Sequence, residues 1–515
     1  MTQKRETWRS HWGMIAAMIG TAIGLGNIWR FPYLCGKYGG ASFLIPYIIL
    51  LLGVAIFAMM CEWVLGRHTK REPLGAFDKI KFPFGRDIGA WGIVGPLFLY
   101  SYYIVITSWV LFFIFASFEG LYFGRNTEAF FASFLGSKWI FLVHAAAVIV
   151  TSSILAMGVQ KGIERACKIM IPTLFILLII VVIRSVTLPG AREGIEFYMR
   201  PRWEGLLNPE TWFAALGQVF FTLSLGMGAM LIYGSYMKDE WGIPMNALSV
   251  TLGNTSASIL AGFAIFPAAF ALGFGKTIGG SESIGLTFFV LPKVFEVMPG
   301  GHLFGGIFFI LLAFGAISSA ISIQEPAIAW LNREVGWSRK KSAFFTGIIL
   351  WFMGLPFILN GFVKGGLGDK LALLSKMDIV IGQLAIPIFG IMAIIAVGYF
   401  MGDRGFDEMN KNARVKLSHT WIKPWIKAVV PVFLSILFVL TLLRILQDNG
   451  VIPPVMPTAK EAIAFTSVGI TPITVLTTVF ICVLFWGGFA YCTINVLTIE
   501  KDKKRRVKRG LHHSS

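Results

Sequence analysis

The chain has 515 residues, of which 56% are hydrophobic and 14% charged, with a mean hydropathy of +0.72. A soluble protein carries about a quarter charged residues, so this composition excludes a water-soluble fold. The formal charge of +18 would suit a nucleic-acid binder in a soluble chain, but its distribution argues otherwise. The basic residues gather in KRETWRS, RHTKREP, QKGIERACK, NREVGWSRKK, DRGFDEMNKNARVK and KDKKRRVKRG. These stretches alternate with less basic loops, as cytoplasmic segments of a membrane protein do. They predict topology and contact with anionic lipid, and no nucleic-acid partner.

Apolar runs of about 20 residues, the length a membrane helix needs, recur from end to end. No strand alternation of a transmembrane barrel is visible. The reading is an all-α polytopic membrane protein of twelve transmembrane helices, at 11–37, 41–66, 89–118, 138–158, 167–188, 210–237, 242–272, 302–333, 338–362, 377–402, 424–446 and 473–499. An even number returns both basic ends to the same side, predicted to be the cytoplasm. The connection from Phe274 to Gly301 contains SIGLTFFVLPKVFEV, read as short helices over the outer face. MTQKRETWRSHW is polar and the apolar run after it lacks a small-residue cleavage site, so no cleaved signal is expected.

Spans one and six are unusual. Gly24-Leu-Gly-Asn27 interrupts the first and Ser224-Leu-Gly-Met-Gly228 the sixth, although glycine costs a helix interior about 1 kcal/mol relative to alanine. Either cluster alone reads as close helix packing, and Gly20 to Gly24 also fits GxxxG. Two of them five spans apart, with polar residues beside them, predict two discontinuous helices at matching positions of a repeat, the arrangement of a transporter's midplane site. The carbonyls freed at a half-helix C-terminus suit a hard cation, and the N–H groups at an N-terminus suit a carboxylate. Such backbone is tolerated at membrane depth only where it lines a cavity.

Catalytic signatures are missing. There is no HExxH, no pair of intramembrane aspartates and no GxSxG with a partner, so no enzyme activity is expected. Five cysteines (Cys35, Cys61, Cys167, Cys482, Cys492) lie in or beside apolar segments, without the spacing of a disulfide framework or metal site.

KRETW, GTAIGLGNIWRFP, GGASFLIPYI, CEWVLGR, KGIERACKIMIPTLFIL, GQVFFTLSLGMGA and ISSAISIQEP resemble the neurotransmitter:sodium symporter family, and within it the bacterial amino-acid branch typified by the leucine transporter LeuT. The likeness is strong from Lys4 to Asp378 and weak through the last two spans. It implies a LeuT-like inverted repeat of spans 1–5 and 6–10, within about 11–188 and 210–402, and peripheral helices at about 424–499, all one transporter domain. It also implies Na+-driven uptake across the plasma (inner) membrane of a bacterium. The alternatives are a sodium-dependent transporter of a monoamine or γ-amino acid, and a transporter-like sensor.

The resemblance carries over to specific positions. A first sodium would use Ala22, Asn27, Thr222 and Asn254 together with the substrate carboxylate, so that each partner raises the other's affinity. A second would use carbonyls of Gly20, Ile23 and Gly315 and hydroxyls of Ser318 and Ser319. The substrate carboxylate would rest on Leu25, Gly26 and Tyr103, and its amine at Phe221, Thr222 and Ser224, with Ala22 and Ser319 also in the substrate site. Leu99, Phe221, Met227 and Ile323 would wall an apolar pocket. Gly24 stands where the family's monoamine transporters carry an aspartate, which implies a cargo with its own carboxylate. Met227 replaces a phenylalanine of the leucine transporter, and its adaptable side chain implies a range of apolar or aromatic amino acids.

Arg30 and Asp378 would form an outer gate, because a charge at that depth needs a partner. Glu62 would support the unwound part of span six. Arg5, Trp8, Ser235 and Tyr236 match the cytoplasmic gate, but the aspartate expected to pair with Arg5 falls on Arg333, with Glu334 adjacent. Either the register shifts by one or another carboxylate closes that gate. Ser258 replaces the carboxylate of chloride-independent bacterial members, and with Tyr47, Gln218 and Thr222 it implies a chloride site.

Overall fold

A computed structural model describes residues 6–278 and 283–448, and among them every regular element is helical. Among the described residues nine helices are long and apolar enough to cross a membrane, ten when the bent pair His11–Ala22 and Gly26–Lys37 counts as one span. The others are Ala41–Thr69, Gly85–Phe118, Trp139–Ala156, Val159–Val186, Ile243–Ala271, Gly301–Arg333, Arg339–Asn360, Leu367–Met401 and His419–Leu443. The expected sixth span is present as two short helices, Pro209–Thr222 and Ala229–Ser235. The twelfth, 473–499, lies outside the described residues, as do Arg5, Cys482 and Cys492.

Boundaries differ from the sequence expectation mainly where a helix continues past its apolar stretch. The fifth begins at Val159 instead of 167 and the tenth at Leu367 instead of 377. Hydropathy marks where hydrocarbon would begin, whereas the hydrogen-bonded helix simply propagates through the polar residues VQKGIE and LGDKLALLSK. The outer connection forms short helices, ending with Leu291–Val297.

The second, third and eighth spans are largely enclosed by protein, whereas the fourth, fifth and eleventh turn most of their surface outward. Enclosure of the eighth explains how it carries Ser318, Ser319, Gln324 and Glu325 buried, since polar groups at that depth must be satisfied by neighbouring helices. The two broken spans lie within this interior and present their unwound backbone to it.

Candidate functional site

The first helix ends at Ala22, Ile23 turns extended (φ −79°, ψ 106°), and the chain resumes as a helix at Gly26 with a bend of 51°. The sixth span ends its first half at Thr222 and restarts at Ala229. Between them Ser224, Gly226 and Gly228 adopt φ of 52°, 79° and 63°. A serine in the left-handed region is strained, and it is held there by its hydroxyl donating to the Thr21 carbonyl at 2.8 Å. The unwound segments therefore brace each other directly. Glu62, buried in the second span, accepts from the Gly226 N–H at 2.7 Å and so satisfies a donor that the break sets free.

These segments and the third and eighth spans enclose a small cavity lined by Ala22, Gly24, Leu25, Gly26, Leu99, Tyr103, Phe221, Thr222, Ser224, Met227, Ser319 and Ile323. All twelve are the residues expected around the substrate. The space open to a water-sized sphere is about 20 Å³, close to that of one water, so the pocket must widen to admit an amino-acid side chain. The Leu25 N–H donates to the Tyr103 hydroxyl at 3.4 Å. A Cβ at Gly24 would overlap the Ser319 hydroxyl and come within 3.0 Å of the Tyr103 oxygen. Position 24 thus excludes a side chain, an aspartate included, unless neighbours shift.

The expected first ion set converges. One terminal atom of the Asn254 amide lies 3.1 Å from the Ala22 carbonyl oxygen and 3.2 Å from that of Thr222, with the Thr222 hydroxyl also at 3.2 Å. As oxygen, it completes a cluster with no proton between it and the two carbonyls, an arrangement that a hard cation relieves. Turned over, the same amide donates to both carbonyls. Asn27 stands beside this cluster, its Oδ1 accepting from the Gly24 N–H at 3.1 Å. Its Nδ2 donates to Asn254 Oδ1 at 2.8 Å and to the Ser258 hydroxyl at 2.9 Å.

The second set also converges. Ser318 Oγ lies 3.4 Å from the Ile23 carbonyl and 3.0 Å from that of Gly315, while Ser319 Oγ is 3.5 Å from Gly20, 3.2 Å from Thr21 and 3.3 Å from Ile23. The expected ligand atoms of this set are all oxygens, which suits an alkali cation.

The residues expected around chloride are only partly brought together. Tyr47 and Ser258 hydroxyls are 3.4 Å apart, beside Asn254. Gln218 instead directs its Nε2 to the Gly26 carbonyl at 2.8 Å, and its buried Oε1 has no hydrogen-bond partner.

On the outer side the expected direct pair is not formed. Arg30 and Asp378 make no ion pair within 4.0 Å. The Arg30 guanidinium lies over the Phe221 ring, 5.2 Å from its centroid. Asp378 begins a π-helical stretch, Asp378–Ala385, and accepts from Tyr102 and Gln383, each at 3.1 Å. Those two donors take up the carboxylate, and the ring takes up the cation.

On the inner side a buried carboxylate, Glu325, joins the sixth, eighth and ninth spans. Trp8 is fully buried, its indole donating to the Tyr233 carbonyl at 3.1 Å and its N–H to the Tyr236 carbonyl at 3.2 Å. The Tyr236 hydroxyl donates to Glu325 at 2.6 Å, and Glu325 pairs with Arg339 at 2.6 Å. Arg339 also donates to the Leu155 carbonyl at 2.8 Å. Glu334 pairs with Arg71 at 3.3 Å, and Arg333 donates to the Lys70 carbonyl at 2.8 Å. Ser235 turns its hydroxyl back to the Ile232 carbonyl at 2.7 Å. Sequence reasoning missed the Glu325–Arg339 pair, although a glutamate inside the apolar run ISSAISIQEPAIAW was itself the signal, since it requires a buried partner.

The chain is similar to known sodium-dependent transporters. A sequence model described as the sodium:neurotransmitter symporter family matches residues 5–133 and 122–486. A sodium-dependent transporter of Methanocaldococcus jannaschii is 36% identical over 453 residues, 84% of this chain and 89% of that protein. One of Haemophilus influenzae is 32% identical over 464 residues, covering 85% and 98%. Among solved structures, MhsT in complex with L-phenylalanine is similar with a TM-score of 0.75 and 36% identity, covering 85% of this chain and 99% of that one.

Proposed function

The chain belongs to the sodium:neurotransmitter symporter family, a family of sodium-dependent transporters and not of enzymes, and on that premise we propose that it imports an apolar or aromatic L-amino acid together with Na+ by alternating access. The observation that carries the reading is the cavity between the two unwound segments. It offers freed N–H groups and the Tyr103 hydroxyl to a carboxylate, apolar walls from Leu99, Met227 and Ile323, and no room for an acidic side chain at Gly24. A monoamine lacks the carboxylate that this lining is built to accept, which disfavours it as cargo. The similar structure bound to L-phenylalanine supports the aromatic end of the range.

Two sodium ions are co-transported in this reading, one at each oxygen cluster, with the cargo's carboxylate completing the shell of the first. Chloride stimulation is part of the proposal, resting on Ser258 and Tyr47 beside Asn254. In this reading the basic loops and both termini face the cytoplasm, in contact with anionic lipid, and the membrane is a bacterial plasma membrane. Spans 1–5 and 6–10 serve as the two inverted halves in this reading, with span 11 peripheral.

The test is uptake into proteoliposomes, screening labelled amino acids under an imposed inward Na+ gradient with and without Cl⁻. Leucine, methionine, phenylalanine, tyrosine or tryptophan is expected to accumulate above equilibrium. Accumulation of none of the amino acids would overturn the symport reading, and equal rates without Cl⁻ would remove the chloride element alone.

A further inference from the structure

Glu164 stands at the inner end of the fifth span and is 1% exposed, yet it takes no part in the cavity, the oxygen clusters or the Tyr236–Glu325–Arg339 contacts. All its partners outside its own helix lie on the short arm that precedes the first span. It accepts from the Arg9 N–H at 2.7 Å, the Ser10 N–H at 3.2 Å and the Ser10 hydroxyl at 2.8 Å. Lys168, one turn along, braces the carboxylate at 2.7 Å. Ser10 is the N-cap of His11–Ala22, so a buried anion sits at the positive end of that helix. The fit is close, since a Cβ at Gly13 would overlap the Glu164 carboxyl. Gln160 adds a bond to the Thr7 carbonyl at 2.9 Å.

We infer that Glu164 is the catch that holds the inner half of the first span in its sealed position, making the start of the fifth span a positioning element of the transport cycle. The arm from Thr7 to Ser10 carries Trp8, which is seated on Tyr233 and Tyr236. The helix it begins carries Gly20, whose carbonyl belongs to the second oxygen cluster. One turn beyond Glu164, the thiol of buried Cys167 would lie 3.3 Å from a Cβ at Gly20. Release of the arm therefore exposes the second cluster and Cys167 along the same route. The charge-assisted bonds to the arm must break for that release, and their strength sets how often it happens.

The cycle role rests on the symport reading, but the catch itself can be tested separately. Full-length protein in lipid nanodiscs is treated with N-ethylmaleimide in Na+ or K+ buffer, and alkylation of Cys167, Cys35 and Cys61 is followed by peptide mass spectrometry. In K+, Glu164→Gln should speed Cys167 alkylation about tenfold over wild type and leave Cys35 and Cys61 unchanged. Glu164→Asp should restore much of the protection, and Ser10→Ala should speed Cys167 by a smaller factor. Wild-type rates at Cys167 in both Glu164→Gln and Ser10→Ala would overturn the inference. A rise at all three cysteines in Glu164→Gln marks general loosening, and Ser10→Ala then decides: a rise confined to Cys167 upholds the catch and no rise overturns it. Failure of Na+ to slow Cys167 alkylation in wild type counts against the sodium sites and leaves the comparison between variants intact.

Discussion

The two ends of the permeation route are closed by different physics. On the inner side, Trp8 is buried and doubly hydrogen bonded, and Tyr236, Glu325 and Arg339 form a chain of 2.6 Å contacts across the sixth, eighth and ninth spans. Glu164 fixes the arm from the fifth span. On the outer side, Arg30 rests on the Phe221 ring at 5.2 Å and Asp378 is engaged by Tyr102 and Gln383. A cation over an aromatic ring contributes about 0.5–2 kcal/mol, whereas Glu325 takes two hydrogen bonds, from Tyr236 and Arg339, and a hydrogen bond to a charged group contributes about 1.5–3 kcal/mol. This conformation is thus firmly shut inside and lightly shut outside. A cargo arriving from outside meets the weaker closure first.

The largest expected effect comes from breaking the inner chain at its centre. Glu325→Ala leaves the Arg339 guanidinium without its carboxylate in a mostly buried place. The expected loss is about 3–5 kcal/mol, enough to abolish uptake and lower the melting temperature of the purified protein. Glu325→Gln keeps an acceptor for Tyr236 and should retain part of the thermal stability. Equal stability of the alanine variant and wild type would remove the asymmetry between the two ends. Tyr236→Phe is a smaller break. It deletes one hydrogen bond to a charged group, worth about 1.5–3 kcal/mol, and keeps the ring that packs on Trp8. Apparent Na+ affinity, read from the Na+ dependence of Cys167 protection, should fall roughly tenfold as the inward-open state gains population.

The same contrast explains what was legible in the sequence. Gly24, Gly26, Ser224, Gly226 and Gly228 announced both breaks, because glycine clusters in apolar runs are costly unless the backbone is used. The twelve cavity residues followed, since the pocket is local to those breaks and to two facing spans. The gates were less legible because they depend on pairing between distant spans. Arg30 and Asp378 were both noticed, but two opposite charges in a sequence do not reveal that Tyr102, Gln383 and Phe221 stand closer as partners. Glu325 was visible as an acid in an apolar helix, yet its partners Tyr236 and Arg339 lie 89 and 14 residues away. Asn27 was correctly placed at the break, while the direction of its amide depends on Gly24, Asn254 and Ser258 together.

The smallest effects should come from the outer side, where they also separate two accounts of that gate. Arg30→Lys keeps the positive charge and loses the flat guanidinium, which stacks on a ring more favourably than an ammonium does. A decrease of about 0.5–1 kcal/mol in lid closure should raise the KM for amino-acid uptake a few-fold with little change in thermal stability. Asp378→Asn still accepts from Tyr102 through its amide oxygen, so in the geometry described here it should change KM by about twofold or less. If the outer gate instead closes through a direct Arg30–Asp378 ion pair during transport, removing the carboxylate must cost at least as much as Arg30→Lys. Uptake kinetics of the two variants, measured side by side under one Na+ gradient, rank them. A larger defect in Asp378→Asn would mean that the outer end too is closed by charge when cargo is bound, and that the light outer closure belongs only to this conformation.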